Sequence, residues 1–211
     1  VSGLKTLLGG NYAAKEGIKV FIGERGDKAV RKYNKFIPKQ KEGYFLRIQP
    51  KEIVLAGNDE QGTFYALQTL EQLLKDNQLP VADITDYPEI TFRGVVEGFY
   101  GAPWSHEARL RHLKFYGQNK MNTYIYGPKD DPYHSSPNWR LPYPEQEAKQ
   151  IKELVQIAKE NAVNFVWAIH PGKDIKWNQE DRDNLLGKFQ KMYELGVRSF
   201  AVFFDDISGE G

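Results

Sequence analysis

The stretch Ser199-Phe200-Ala201-Val202-Phe203-Phe204-Asp205-Asp206 decides how the rest of the chain is interpreted. Aromatic and β-branched residues dominate it, which predicts a central strand buried on both faces. Unpaired carboxylates are costly inside such a strand, so Asp205 and Asp206 are expected at its exposed carboxyl end. In α/β folds ligands bind at that end of the sheet, and barrel enzymes keep their catalytic groups there. The stretch therefore predicts an α/β fold with chemistry at one rim.

Upstream segments repeat the same unit, a β-rich run followed by a polar loop and an amphipathic stretch. The predicted strands are 92–97, 122–126, 164–169 and 199–204, and the predicted helices are 106–118, 145–161 and 179–195. Ser105 and Asn178 are placed to cap the first and third helices. Such alternation requires a parallel sheet covered by helices. A (β/α)8 barrel has eight strands, so residues 89–211 are expected to form a partial TIM barrel of about four βα units, truncated after its first half.

Residues 1–88 predict a separate and smaller α/β domain. A predicted strand at 18–22 precedes a predicted hairpin of strands 44–48 and 53–56, where side chains alternate with period two. Asn58 or Asp59 is placed to cap a helix with apolar residues at helical spacing. Residues 84–88 look like an extended connector, and the domain boundary is placed there.

Composition excludes several classes of protein. The chain has 29 Lys and Arg against 28 Asp and Glu, with no long basic block, so a nucleic-acid partner is not indicated. No apolar run approaches the roughly 20 residues of a membrane helix, so no membrane partner is expected either. The absence of cysteine excludes disulfides and thiolate catalysis. No second histidine stands at ligand spacing from His170, which is expected to be hydrogen-bonded rather than bound to a metal.

Polar and aromatic residues follow each predicted strand, at 97–101, 126–131, 170–172 and 205–206. The loop 127–144 is long and contains Tyr133, His134, Trp139 and Tyr143, so it is interpreted as a lid or binding wall. Aromatic faces suit the C–H groups of a pyranose ring. Trp104, Trp139 and Trp177 are candidates to line a sugar cleft, whereas Trp167, inside an apolar strand, is expected in the core.

Three motifs together resemble those of the family 84 glycoside hydrolases, the O-GlcNAcases and their bacterial relatives. They are Arg93-Gly94-Val95-Val96-Glu97-Gly98-Phe99-Tyr100-Gly101, Tyr124-Ile125-Tyr126-Gly127-Pro128-Lys129-Asp130-Asp131 and Phe204-Asp205-Asp206. Residues 58–70 resemble the helix of the hexosaminidase-like α/β domain that precedes such barrels. The resemblance implies retaining hydrolysis of terminal β-linked N-acetylglucosamine (GlcNAc) from a glycoprotein or glycan. The substrate's own acetamido oxygen acts as the nucleophile and forms an oxazoline, so no enzyme nucleophile is needed.

The same resemblance implies roles for five residues. Asp205 binds the acetamido N–H, and Asp206 is the general acid and then the general base. The backbone of Gly98 and the side chain of Lys129 contact sugar hydroxyls, and Tyr100 lines the pocket. The chemistry needs two acids with separated pKa values, one ionised and one protonated. No metal and no cofactor is implied.

Glu97 is expected to be a structural acid paired with Arg93 or another base.

Two other functions stay open. An apolar strand ending in Asp-Asp also fits a Walker B strand of an ATPase, but no G-x-x-x-x-G-K-[ST] motif accompanies it. The stronger alternative is a catalytically inactive module that binds glycans or partners.

The open strand edges of a half barrel also predict self-association. Bacterial relatives are commonly exported and animal relatives act inside the cell, so export is favoured if the source is bacterial.

Overall fold

The computed structural model describes residues 17–205, apart from the side chain of Lys173. The chain divides between Thr91 and Phe92 into two compact units, each with a four-stranded sheet. Both units combine strands with helices, which confirms the predicted α/β class. Within residues 17–205, no helix has the length and apolar character to cross a membrane.

Over residues 17–91, the first unit has four strands and one α-helix. They are β1 (Lys19–Glu24), β2 (Tyr44–Gln49), β3 (Glu52–Gly57), α1 (Glu60–Leu73) and β4 (Ala82–Asp86), and a 3-10 turn covers Arg31–Tyr33. The sheet order is β1-β3-β2-β4; β1 is parallel to β3, and β2 is antiparallel to both of its neighbours. The predicted hairpin is therefore β2–β3. Asp59 caps α1, since its carboxylate accepts a hydrogen bond from the N–H of Gly62 at 2.8 Å.

The prediction that residues 84–88 form a connector is partly wrong, because Ala82–Asp86 forms the strand β4. Leu46 of β2 lies opposite Ile84, and the guanidinium of Arg47 binds both carboxylate oxygens of Asp83. The strand is largely exposed, with only alternate residues half-buried. Its polar composition is that of an edge strand, and edge strands tolerate charges that a central strand does not.

The second unit alternates strand and helix along the chain. Its elements are β5 (Gly94–Glu97), α2 (His106–Gln118), β6 (Thr123–Tyr126), α3 (Glu145–Glu160), β7 (Asn164–Ile169), α4 (Gln179–Glu194) and β8 (Ser199–Val202). The strands are parallel and lie in chain order, β5-β6-β7-β8. Four consecutive parallel strands joined by helices make up half of a (β/α)8 barrel, which confirms the predicted partial barrel.

Local sequence explains where these elements start and how closely they approach. Ser105 Oγ accepts from the N–H of Ala108 at 3.2 Å, and Asn178 Oδ1 accepts from the N–H of Asp181 at 2.9 Å. Both predicted caps are thus confirmed. At Gly94 an added Cβ would lie 1.6 Å from the carbonyl oxygen of Thr123, so only glycine fits the approach of β5 to β6.

The core of the second unit lies between the sheet and its helices. Its fully buried side chains include Tyr124 and Trp167 from the sheet, against Leu154 and Ala158 of α3. The prediction that Trp167 belongs to the core is confirmed. The prediction that the last strand is buried on both faces is wrong for the described residues: β8 ends at Val202, and Phe204 is 55% exposed. Within residues 17–205, β8 pairs with β7 alone, so one of its edges lacks the neighbour that burial would require.

Candidate active site

The carboxyl ends of β5 to β8 lie along one edge of the second sheet, here called the carboxyl rim. Parallel strands place the residues that follow them on the same side. The backbone N–H of Gly127 donates to the carbonyl of Glu97 at 3.0 Å, and that of Lys129 donates to the carbonyl of Phe99 at 3.4 Å. The segments after β5 and β6 therefore continue side by side beyond the strands. They bring Gly98, Tyr100 and Lys129 to one region.

Lys129 and Asp205 form an ion pair at the carboxyl rim, 76 residues apart in sequence. The ammonium group of Lys129 donates to Oδ2 of Asp205. The lysine side chain is only 8% exposed, whereas the aspartate side chain is 59% exposed. The lysine is shielded because its Nζ lies 5.7 Å from the ring centroid of Tyr100 and 5.9 Å from that of Phe203. A shielded cation thus holds a carboxylate whose other side faces solvent.

The pKa of the Asp205 carboxyl lies below its ordinary value. The main cause is the hydrogen bond from Lys129, and the charge of Lys129 and that of His170 when protonated act in the same direction. Each of these interactions favours the charged form of the acid. Asp205 is therefore an ionised acceptor near neutral pH.

His170, the first residue after β7, also faces Asp205. Its Nε2 lies 3.2 Å from the backbone carbonyl oxygen of Asp205 and 3.9 Å from Oδ2. The backbone N–H of His170 donates to the backbone carbonyl of His134 at 2.8 Å. The prediction of a hydrogen-bonded histidine is confirmed. Over residues 17–205, no three His, Asp or Glu side chains cluster as metal ligands would.

The remaining predicted site residues differ in how far the structure describes them. Gly98 is half-buried directly after β5, and Tyr100 is 72% exposed beside the Lys129 ammonium. Asp206, the predicted general acid, lies outside the described residues, and its role stays a prediction. The structure therefore brings together Lys129, Tyr100 and Asp205, and it places Gly98 on the neighbouring segment.

Glu97 is a fully buried structural acid, as predicted. Arg109 donates to both of its oxygens, from Nε at 2.9 Å and from Nη2 at 2.7 Å. The N–H of Trp104 donates to Oε1 at 3.1 Å, and the hydroxyl of Tyr124 donates to Oε2. The partner is thus Arg109 of α2, whereas Arg93 donates from Nε to the carbonyl of Lys120. With four donors on its two oxygens, Glu97 is committed to the fold.

The long loop after β6 does not present its aromatic residues as a binding wall. His134 and Trp139 are fully buried, and the indole N–H of Trp139 donates to Asp174 at 3.1 Å. The hydroxyl of Tyr143 donates to Asp131 at 2.8 Å. The indole N–H of Trp139 and the hydroxyl of Tyr143 thus find partners inside the unit, which allows the two rings to pack against the core. The interpretation of Trp139 as a cleft residue is wrong.

Trp177 was a candidate to line a sugar cleft, whereas Asp131 has a role that the sequence did not assign. Trp177 is 62% exposed and stacks on Phe204, with ring centroids 6.1 Å apart and an interplanar angle of 25°. Asp131 collects hydrogen bonds from both ends of the long loop. The one sequence signal for Asp131 is its place two residues after Lys129, and nothing in that spacing indicates which groups it binds.

A half barrel of parallel strands with a lysine-held carboxylate at its carboxyl rim defines the scaffold of a TIM-barrel enzyme. Residues 93–211 match a family model described as beta-N-acetylglucosaminidase, and residues 5–87 match one described as glycosyl hydrolase family 20, domain 2. The first match spans more than half of the 211 residues. The chain belongs to this beta-N-acetylglucosaminidase family, that of the family 84 glycoside hydrolases.

Individual relatives agree with this assignment. Protein O-GlcNAcase of Rattus norvegicus and that of Mus musculus are each 43% identical over 115 residues, which cover 54% of this chain. The structure of CpGH84B matches 99% of this chain with a TM-score of 0.88 and 42% identity. A mutant of the Thermobaculum terrenum O-GlcNAc hydrolase matches 56% of it with a TM-score of 0.54 and 40% identity.

The chain is shorter than all of these proteins. It spans 12% of the length of the two mammalian relatives, 39% of the CpGH84B chain and 26% of the Thermobaculum terrenum chain.

Proposed function

We propose that the protein carrying this chain is a retaining β-N-acetylglucosaminidase of the O-GlcNAcase type. Its substrates are glycoproteins or glycans with a terminal β-linked GlcNAc. Membership of the beta-N-acetylglucosaminidase family supports the reaction class. The single observation that carries the mechanism is the ionised Asp205 carboxylate, which Lys129 holds at the carboxyl rim while its other side stays open.

In the proposed reaction the acetamido carbonyl oxygen of the substrate attacks the anomeric carbon. The bond from that carbon to the glycosidic oxygen breaks, and Asp206 donates a proton to the leaving oxygen. Positive charge develops on the oxazolinium ring, and the Asp205 carboxylate accepts a hydrogen bond from the ring N–H. Water then attacks the anomeric carbon and gives its proton to Asp206, while the bond from that carbon to the oxazoline oxygen breaks. The acetamide is restored, and the two displacements together retain the configuration.

The environment of Asp205 suits this role. A carboxylate stabilises a developing cation only if it is ionised, and the neighbouring ammonium lowers the pKa of Asp205. An ammonium has three donors, so Lys129 can hold Asp205 with one and reach a sugar hydroxyl with another. The exposed ring of Tyr100 offers an apolar face to the sugar. Gly98 has no side chain, so its backbone can approach the substrate closely.

The test compares two leaving groups on the protein that carries this chain. A positioned general acid contributes about 10²- to 10⁴-fold, and it matters most for poor leaving groups. Asp206→Asn is therefore expected to lose far more kcat/KM on an alkyl β-N-acetylglucosaminide than on a nitrophenyl one. Asp205→Asn is expected to lose similar factors on both, because the acetamido oxygen displaces either leaving group and Asp205 supports that oxygen's amide N–H in both cases.

The control is Asp130→Asn, an exposed neighbour of the site lysine, which is expected to stay near wild type. Fluorination of the substrate acetyl group tests the nucleophile, since a less basic carbonyl oxygen slows attack. If Asp206→Asn lowered kcat/KM by the same factor for both leaving groups, Asp206 would not be the general acid. If fluorination of the acetyl group left the hydrolysis rate unchanged, the acetamido oxygen would not be the nucleophile.

A glycan-binding module without turnover is the second candidate. The exposed stack of Trp177 on Phe204 favours it, because open aromatic faces bind sugar rings. Such a module is expected to bind a GlcNAc-terminated glycan in a calorimetric titration and to release no GlcNAc. Trp177→Ala is expected to abolish the binding. Sedimentation of the chain tests the accompanying proposal of self-association through the edges of β5 and β8.

A further inference from the structure

The carboxylate of Asp131 is filled by four donors. Oδ2 accepts from the hydroxyls of Tyr126 at 2.6 Å and of Tyr143 at 2.8 Å. Oδ1 accepts from the backbone N–H groups of Tyr133 at 2.8 Å and of His134 at 3.3 Å. Tyr126 ends β6, and Tyr143 lies just before α3. Asp131 therefore ties the two ends of the long loop together and fixes the turn between them.

This turn carries Lys129. The hydroxyl of Ser135 donates to the carbonyl of Asp131 at 2.7 Å and approaches that of Lys129 at 3.3 Å. The backbone of Ser135 forms a bridge with His170, the residue that faces Asp205. The backbone around Lys129 is thus held by a turn whose geometry depends on one carboxylate. The long lysine side chain gains its fixed direction from that backbone.

We propose that Asp131 is a positioning residue: it holds the turn from which Lys129 reaches Asp205, and so keeps the Asp205 carboxylate oriented for catalysis. The catalytic part of this statement rests on the proposed function, whereas the effect on the Lys129–Asp205 pair does not. Asp131 itself touches neither the ammonium nor the carboxylate of that pair in any described contact. Its action is indirect, through the backbone.

Several charged groups surround this arrangement. Lys188 of α4 is buried with its Nζ 4.4 Å from the ring centroid of Tyr143, and the charge of Asp131 offsets part of the effect of burial on its pKa. Asp205 is faced by Lys129 and by His170. Asp130 is exposed and makes no hydrogen bond to another residue in 17–205. These groups define which substitutions change the local field and which change the position of Lys129.

The two effects have opposite signs on Asp205, which makes a titration decisive. Removing the negative charge of Asp131 lowers the pKa of Asp205 by the direct field, because a nearby anion disfavours a second one. Displacing Lys129 raises the pKa of Asp205, because the carboxylate loses its hydrogen-bonded cation. Tyr126→Phe removes one donor to Asp131 and alters no charge at neutral pH. A change in that variant reports position.

The experiment follows the carboxyl-carbon NMR shift of Asp205 against pH in the protein that carries this chain, with the signal assigned by its loss in Asp205→Asn. Lys129→Met sets the upper limit, since it removes the cation entirely. Asp131→Asn is expected to raise the pKa of Asp205 toward that limit, and Tyr126→Phe is expected to raise it less. The matched control Asp130→Asn removes a carboxylate one residue away, so it is expected to leave the pKa unchanged or lower it.

A second readout is a double-mutant cycle on kcat/KM. Asp131→Asn is expected to cost roughly tenfold, the effect of one charge-assisted hydrogen bond. In the Lys129→Met background the same substitution is expected to cost less than about twofold, because its target is already gone.

Three results overturn the proposal. The first is an Asp205 pKa in Asp131→Asn that falls or stays at the Asp130→Asn value. The second is a Lys129→Met variant that leaves the pKa of Asp205 unchanged. The third is additive losses in the cycle. If the titrations give the expected pKa values but the wild-type protein releases no GlcNAc, the positioning of Lys129 stands and the proposed hydrolase function fails. If the wild-type protein is active but Asp131→Asn does not raise the pKa of Asp205, the hydrolase function stands and the positioning proposal fails.

Discussion

Replacing Glu97 by Gln is predicted to destabilise the second unit by about 3 kcal/mol, the low end of the cost of breaking a buried ion pair. Glu97 is fully buried and accepts four hydrogen bonds, two of them from Arg109, whose side chain is only 11% exposed. Glutamine keeps the volume and one acceptor oxygen. It places an NH2 group against donors, however, and leaves the guanidinium shielded from water without a counter-charge.

Urea unfolding followed by tryptophan fluorescence measures this loss. Trp104, Trp139, Trp167 and Trp177 are the four tryptophans of the chain, and all lie in the second unit, so their signal reports that unit. The control is Glu145→Gln, which removes an exposed carboxylate paired with Lys149 at 2.6 Å in the same unit. An exposed helix pair contributes less than about 1 kcal/mol, so the control midpoint is expected to move little.

The reasoning is refuted if Glu97→Gln costs no more than Glu145→Gln. The solvation of Arg109 would then be adequate without a buried counter-charge. A Glu97→Gln protein that keeps its stability but releases no GlcNAc would place Glu97 in the chemistry instead of the fold.

Three further outcomes are expected in the same unfolding assay. Gly187 lies in α4 with open space where a Cβ would be, so Gly187→Ala is expected to stabilise by up to about 1 kcal/mol through helix propensity. Gly94→Ala is expected to destabilise strongly, because its Cβ would meet the backbone of Thr123 and β5 would have to move away from β6. Burial lowers the pKa of Lys188 from 10.5 to about 8. Between these values the unfolded chain binds the proton that the folded chain has lost, so stability is expected to rise with pH there, and Lys188→Met is expected to lack this rise.

The elements that sequence predicted well are those with a strong local signal. The strand at 164–169 and the helix at 106–118 have the predicted limits, because apolar periodicity and a capping Ser105 mark them. The strand β4 was missed because an edge strand needs little apolar character. The burial of Trp139 was missed for a different reason: its environment depends on Asp174, 35 residues away, and no local pattern encodes that contact.

The triplet Lys129-Asp130-Asp131 shows most clearly where sequence reasoning stops. Three adjacent charged residues have three different fates: the first holds Asp205, the second faces solvent, and the third binds the loop from inside. Charge and hydropathy do not separate the two aspartates. The turn distinguishes them. The N–H of Asp131 donates to the carbonyl of Pro128 at 3.0 Å, and in this turn the carboxylate of Asp131 points inward to the hydroxyls of Tyr126 and Tyr143. The motif predicts that a cation reaches the carboxyl rim, but which acid fixes it there is set by tyrosine hydroxyls from two other segments, and these become neighbours only when the sheet has formed.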